Sequence, residues 1–100
     1  IIVYPSFYGE GIPRVLLEAA AMGKPIITTD NPGCRETVEH AQNGFLVPIK
    51  DVPALVHAVK ILIADADMRR RMGLKSREIA ERDFDLHVIT AQTVEVYKNA

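Results

Sequence analysis

Hydrophobic residues in this chain fall into two kinds of grouping: short β-branched runs in the first half and apolar stripes at helical spacing in the second. Ile1, Ile2, Val3 and Tyr4 form an unalternating β-branched and aromatic run, which predicts a strand covered on both faces, as in a parallel sheet. Pro5 ends it. Ser6 to Gly11 reads as a loop, and Pro13 suits the first turn of a helix. Arg14 to Met22 is rich in Leu and Ala, both strong helix formers, and Gly23 falls just past the expected helix end. Pro25 to Thr29 predicts a second strand. Asp30 to Gly33 is a turn cluster, Arg35 to His40 predicts a short helix, and Asn43-Gly44 is a turn before a third strand, Phe45 to Val47.

From Asp51 the period changes. Val52, Leu55, Val56, Val59, Leu62 and Ile63 recur at three- and four-residue spacing, one apolar stripe on a helix. Asp67 is placed to cap the next helix, which carries Met68, Met72, Ile79 and Ala80 and is weakened by Gly73 in its middle. Asp85 is placed to cap a last helix with Leu86, Ile89, Val96 and Tyr97 on one side. Strands alternating with helices imply an α/β fold: a partial, Rossmann-like parallel sheet of about three strands with flanking helices, residues 1–100 forming a single partial domain. Ligands of such sheets bind beyond the carboxyl ends of the strands. Two loops fall there, Ser6 to Pro13 and Asp30 to Arg35.

Composition narrows the function classes. A chain of 100 residues holds one small domain, and 48% hydrophobic with 25% charged residues is ordinary for a globular one. A net charge of −1 gives no electrostatic case for nucleic acid or an anionic membrane. Cys34 is the only cysteine, so no internal disulfide forms, which fits a reducing cytoplasm. His40, His57 and His87 show no zinc-ligand spacing with Cys34, and no apolar run has the length of a membrane span. The run Arg69 to Arg71 reads as a solvated helix face, and Met68 and Met72 as core. The start at Ile1, inside an apolar run, suggests a piece of something longer.

The chemistry concentrates between Glu10 and Glu18, the stretch EGIPRVLLE. One carboxylate lies in the loop and one in the helix, with the helix N-terminus between them, where free N–H groups and the helix dipole favour a phosphate. Pro13 has no N–H, so the expected donors are the backbones of Arg14, Val15 and Leu16, helped by Gly11 and Ile12. Glu18 stands among Val15, Leu16, Leu17, Ala19 and Ala20, where a carboxylate near a buried face needs a partner. Ligand hydroxyls and an ion pair with Arg14 are equally good partners on physical grounds. Glu10, taken alone, reads as an exposed loop acid.

The whole ordered set changes that. Glu10 to Glu18 resembles the E-x7-E motif of retaining glycosyltransferases of family 4, enzymes of the GT-B fold. The continuation Ala19 to Glu36, the stretch Asn43 to Pro48 and, more weakly, Phe84-Asp85 are similar to the same family. The resemblance implies a donor-binding part of a C-terminal domain, with a nucleoside-diphosphate sugar, by default a UDP-sugar, as substrate. It implies that Glu18 binds ribose hydroxyls, that Glu10 lies near the donor sugar and phosphate, and that Gly11, Ile12 and the helix start cradle the diphosphate. It implies no metal and no other cofactor. The basic residues that grip the diphosphate in the family lie upstream of this segment, as does the acceptor-binding N-terminal domain; Arg14 and Lys24 do not match those positions. The implied setting is cytoplasmic, with the parent enzyme peripheral at the inner membrane face and engaged in cell-surface polysaccharide or lipid-linked glycan synthesis. Two rivals stand beside it: a UDP-sugar 2-epimerase of the same fold, and a non-catalytic nucleotide-sugar-binding domain. The fragment alone is expected to be inactive and to self-associate through its open strand edge.

Overall fold

The computed structural model describes residues 1–6 and 11–84; Glu10 and the last expected helix, with Asp85, Leu86, Ile89, Val96 and Tyr97, lie outside the described residues. The elements are β1 (Ile2–Tyr4), α1 (Arg14–Ala21), β2 (Ile26–Thr29), a 3-10 turn (Cys34–Thr37), β3 (Gly44–Val47), α2 (Val52–Ala64) and α3 (Ala66–Asp83). The three strands form one parallel sheet in the order β1-β2-β3. Ile2, Val3 and Tyr4 pair with Ile26, Ile27 and Thr28, and Ile26 to Thr29 pair with Gly44 to Val47. The Rossmann-like α/β architecture expected from the sequence is the one observed.

The pleat sends alternate residues to opposite faces. On one face Ile26 meets Leu16, Ala19 and Ala20 of α1, with Cys34, Val38 and Ala80 closing the cluster. On the other Ile27 and Val47 meet Ala58 and Leu62 of α2 and Met72 of α3. All four residues of β2 are buried. The expectation for β1 needs correction: Ile2 and Tyr4 pack on the first cluster, but Val3 remains 41% exposed. β1 is an edge strand, and α2 lies over β2 and β3. The stripe expected on α2 is also displaced. Ala58 and Leu62 are buried, while Val52, Val56 and Ile63 face outward. Ala58 and Leu62 join Ile27 and Val47 in the core, and Ala54, Leu55 and Val59 pack against that cluster.

Local chemistry explains the other differences. The helix expected over residues 35–40 is a shorter 3-10 turn. The Thr37 hydroxyl donates to the Cys34 carbonyl at 2.8 Å, and buried Asn43 donates to the Thr37 carbonyl at 2.9 Å and accepts from the Glu39 N–H at 2.8 Å. These bonds pull the chain out of the helix and into the bridge between His40 and Gly44. Asp65, rather than Asp67, caps α3, its side chain accepting from the Met68 N–H at 2.9 Å; Asp67 pairs with Arg70 at 3.1 Å one turn on. Arg70 and Arg71 are exposed as expected, but Arg69 donates to the carbonyls of Leu62 and Ile63 and so closes the end of α2. Gly73 has a positive role: a Cβ there would overlap the carbonyl of Gly23, which ends α1 with φ of 69°. Gly44 is equally constrained, because a Cβ would overlap the Ile26 carbonyl. Arg82 hydrogen-bonds Asp83 and Glu39, which raises its guanidinium pKa further above its usual range, and Arg82 in turn lowers the Asp83 carboxyl.

Candidate functional site at the carboxyl ends of the strands

The three strands end together at Tyr4, Thr29 and Val47, and the chain leaves them into the loops that precede α1, the 3-10 turn and α2. A crevice of about 150 Å³ opens there, lined mainly by carbon, with Pro5, Thr29, Val47, Pro48, Val52 and Leu55 among its walls. The Asp51 side chain turns away to cap α2, accepting from the Ala54 N–H at 2.9 Å. In the loop after β2, Arg35 pairs with Asp30 at 3.2 Å, while Cys34 is fully buried in the core beneath.

α1 begins at this end. Pro13 is its N-cap, with extended backbone (φ −62°, ψ 131°) and no side-chain bond to the first turn. The first N–H groups of a helix have no intrahelical acceptor. Here the Pro13 carbonyl accepts from Leu16 at 3.1 Å and from Leu17 at 3.3 Å. That corrects one expected donor: the Leu16 N–H is occupied, and its side chain is fully buried in the core. The N–H groups of Arg14 and Val15 carry no bond to a backbone carbonyl among the described residues, and both residues are exposed. Gly11 and Ile12 lead into them. A Cβ on Gly11 would meet nothing within 4 Å, so space, not crowding, surrounds this approach.

Glu18 is placed differently from what its apolar neighbours suggest. At about 100° per residue it lies roughly 200° around α1 from Leu16 and as far from Ala20, opposite the buried face. Its side chain is 28% exposed and meets Arg14, Nε to Oε1 at 3.5 Å. The ion pair expected as one alternative is therefore formed. Exposed pairs of this kind contribute roughly a few tenths of a kcal/mol, so it leaves the carboxylate available to a stronger partner. α1 thus brings Arg14, Val15 and Glu18 to one outward side, with Gly11 and Ile12 just before them.

The sequence reading placed Ser6 and Asn31 in the two loops but missed the hydroxyl bonds of the strand-end threonines. The Thr28 hydroxyl donates to the Tyr4 carbonyl at 2.7 Å, and the Thr29 hydroxyl bonds both backbone groups of Ser6. Two consecutive threonines at the carboxyl end of a strand were the available signal. Among the described residues, no three of His, Cys, Asp and Glu converge as metal ligands, and no helix is long and apolar enough to cross a membrane.

Residues 1–79 match the family Glycosyl transferases group 1. The chain is 38% identical over 98 residues to an exopolysaccharide phosphotransferase of Streptomyces coelicolor, covering 97% of this chain and 10% of the relative. It is 31% identical over 97 residues to the capsular polysaccharide biosynthesis glycosyltransferase CapM of Staphylococcus aureus, covering 97% of this chain and 25% of that protein. Among solved structures, HepE of Anabaena in complex with UDP superposes with a TM-score of 0.79 at 28% identity, covering 98% of this chain and 27% of HepE. The chain therefore spans between a tenth and about a quarter of the length of these relatives.

Proposed function

We propose, from the premise that this chain belongs to the group 1 glycosyl transferases, that it forms the donor-nucleotide side of a longer retaining glycosyltransferase. The longer protein would move a sugar from a nucleoside diphosphate, a UDP-sugar by default, to an acceptor hydroxyl in polysaccharide or lipid-linked glycan synthesis. One observation carries the reading: α1 opens at the carboxyl end of the sheet with the Arg14 and Val15 N–H groups turned to no carbonyl among the described residues. An N-terminus of this kind stabilises a phosphate. The similarity over 98% of the chain to HepE, whose structures hold UDP and UDP-glucose, supports the same ligand class here.

In this reading the diphosphate lies over Gly11, Ile12 and the first turn of α1. Glu18 releases Arg14 and accepts from the ribose hydroxyls. Glu10 holds the sugar hydroxyls, and its charge favours the positive charge that grows on the ring as the bond to the diphosphate breaks. The helix N-terminus favours the negative charge that grows on the departing phosphate. No metal is assigned a part. Residues 1–100 form a single partial domain, completed by an acceptor-binding N-terminal domain, in a cytoplasmic protein held at the inner face of the membrane. Ile1 and Val3 are exposed at the edge strand β1, and Val52, Val56 and Ile63 are exposed on α2. In the longer protein further strands would cover them; in the isolated chain they would drive self-association.

The test is product analysis with the longer protein and a panel of UDP-sugars, with and without glycan acceptors. Transfer that requires an acceptor and keeps the anomeric configuration is the expected result. Release of a free epimer without acceptor would assign it to the epimerases instead, and UDP binding without turnover would make it a binding domain.

A further inference from the structure

The hydrogen bonding between β1 and β2 changes character at one residue. The Ile2 N–H donates to the Pro25 carbonyl at 2.9 Å. Alternate residues of a strand turn their N–H groups to the same neighbour, so Tyr4 and then Ser6 are next in line. The ladder pairing, however, stops at Tyr4 with Thr28. The carbonyl of Thr29, which register would offer to Ser6, accepts from Asn31 at 2.9 Å instead.

The Thr29 side chain takes its place. The Ser6 N–H donates to Thr29 Oγ1 at 3.1 Å, and Oγ1 donates to the Ser6 carbonyl at 2.8 Å. The same oxygen lies 3.2 Å from Asn31 Oδ1, in the loop after β2. A hydroxyl has one proton to give and two positions at which to accept. One buried side chain thereby fixes both backbone groups of Ser6 and touches the second ligand-facing loop. Thr29 is 2% exposed, so its hydroxyl is held in place by these protein partners.

We infer that Thr29 is a positioning residue for turnover: its hydroxyl fixes the point at which the chain leaves the sheet toward Glu10 and the start of α1. The inference rests on the donor-site reading above. Its consequence is selective. Glu18 is carried by α1, which Leu16, Ala19 and Ala20 anchor independently of Thr29. Loss of the hydroxyl should therefore disturb the sugar-contacting loop and leave nucleotide affinity nearly intact.

The experiment compares three variants of the longer protein. Thr29→Val keeps shape and removes the hydroxyl; Thr29→Ser keeps the hydroxyl. Thr28→Val removes the neighbouring hydroxyl, whose bond to the Tyr4 carbonyl stays within the strand pair. Small misplacements of reacting groups cost up to about a hundredfold, so Thr29→Val should lower kcat by about tenfold or more. UDP affinity should stay within about twofold, Thr29→Ser should restore kcat, and Thr28→Val should spare it. Amide exchange at Ser6 should accelerate in Thr29→Val and not in Thr28→Val. If Thr29→Val does not fold, Thr29→Ala against Thr29→Ser makes the same comparison. An unchanged kcat in Thr29→Val, an equal loss in Thr28→Val, or unchanged Ser6 exchange would overturn the inference. A wild-type protein that transfers no sugar would overturn the donor-site reading and, with it, the catalytic part; Ser6 exchange would then still report whether the hydroxyl holds the loop.

Discussion

At the amino ends of the strands, backbone meets backbone. α3 crosses the end of α1 where Gly73 faces Gly23, Gly44 lies directly against Ile26, and buried Asn43 binds Thr37, Glu39 and Ser76. Arg77 adds a bond to the Ala21 carbonyl. At the carboxyl ends the Asp30 N–H donates to the Val47 carbonyl, two threonine hydroxyls tie β2 to Tyr4 and Ser6, and the Arg14 and Val15 N–H groups meet no backbone carbonyl among the described residues. One end spends its sequence on close approach, where a single methyl group is too much. The other leaves the first two N–H groups of α1 without a backbone carbonyl among the described residues, an arrangement that solvent or a ligand completes. Close packing at one end and these N–H groups at the other set the two ends of the sheet apart.

The division predicts that substitutions at the two ends fail differently. The largest effect is expected at Glu10. In the longer protein Glu10→Gln should lower kcat by about 10²–10³, the cost of losing one transition-state contact, while UDP binds nearly as before. Normal kcat with weakened UDP binding would mean that Glu10 and Glu18 have exchanged roles. Gly44→Ala should do the reverse. The added methyl overlaps the Ile26 backbone, so it should cost about 3 kcal/mol or more of stability, at the upper end for overpacking. A urea midpoint close to that of the wild type would show that β2 and β3 can slip their register, and the contrast between the two ends would weaken.

Glu18→Gln comes next. Charge-assisted hydrogen bonds contribute roughly 1.5–3 kcal/mol, so UDP affinity should fall about tenfold to a hundredfold with the fold intact. Calorimetric titration with UDP measures it directly. Equal affinity in the variant and the wild type would leave Glu18 with no part beyond its surface ion pair.

Much of this division was legible in the sequence. Three strands, the first helix, its end at Gly23 and the loops that follow β1 and β2 are read from β-branched runs, Leu and Ala content and Pro and Gly punctuation. What escaped depends on distant partners. Gly73 looks like a flaw in a helix until Gly23, fifty residues away in the chain (73 against 23), is set against it. Arg69 looks like part of a solvated run until the open carbonyls of α2 are placed beside it. The stripe on α2 was read from three- and four-residue spacing, whereas the buried positions are Ala58 and Leu62, with Val52, Val56 and Ile63 outside. Glu18 seemed to need a partner because its neighbours in sequence are apolar; on the helix it points away from the face they bury. The Thr28-Thr29 pair marks the strand end in the sequence, but the partner of Thr29 appears only when Ser6 is brought across from the end of β1.

The smallest predicted effect separates the two roles left open for Glu18. Arg14 and Glu18 are one helical turn apart, with the cation toward the N-terminus, the less favourable order for a helix. Both side chains are substantially exposed, at 54% and 28%, and salt screens such pairs. Arg14→Ala should therefore change stability by no more than about 0.5 kcal/mol. Its effect on nucleotide binding carries the information. If Glu18 serves ribose hydroxyls, Arg14 competes with the ligand for the carboxylate. Removing it should then leave UDP affinity unchanged or raise it slightly, because the backbone N–H of residue 14 remains. If Arg14 instead lends its charge to the diphosphate, the same variant should bind UDP about tenfold less tightly, with a steeper loss at low salt. Titrations of wild type, Arg14→Ala and Arg14→Lys at two ionic strengths distinguish these outcomes. A tenfold loss would place the site's positive charge on α1 itself.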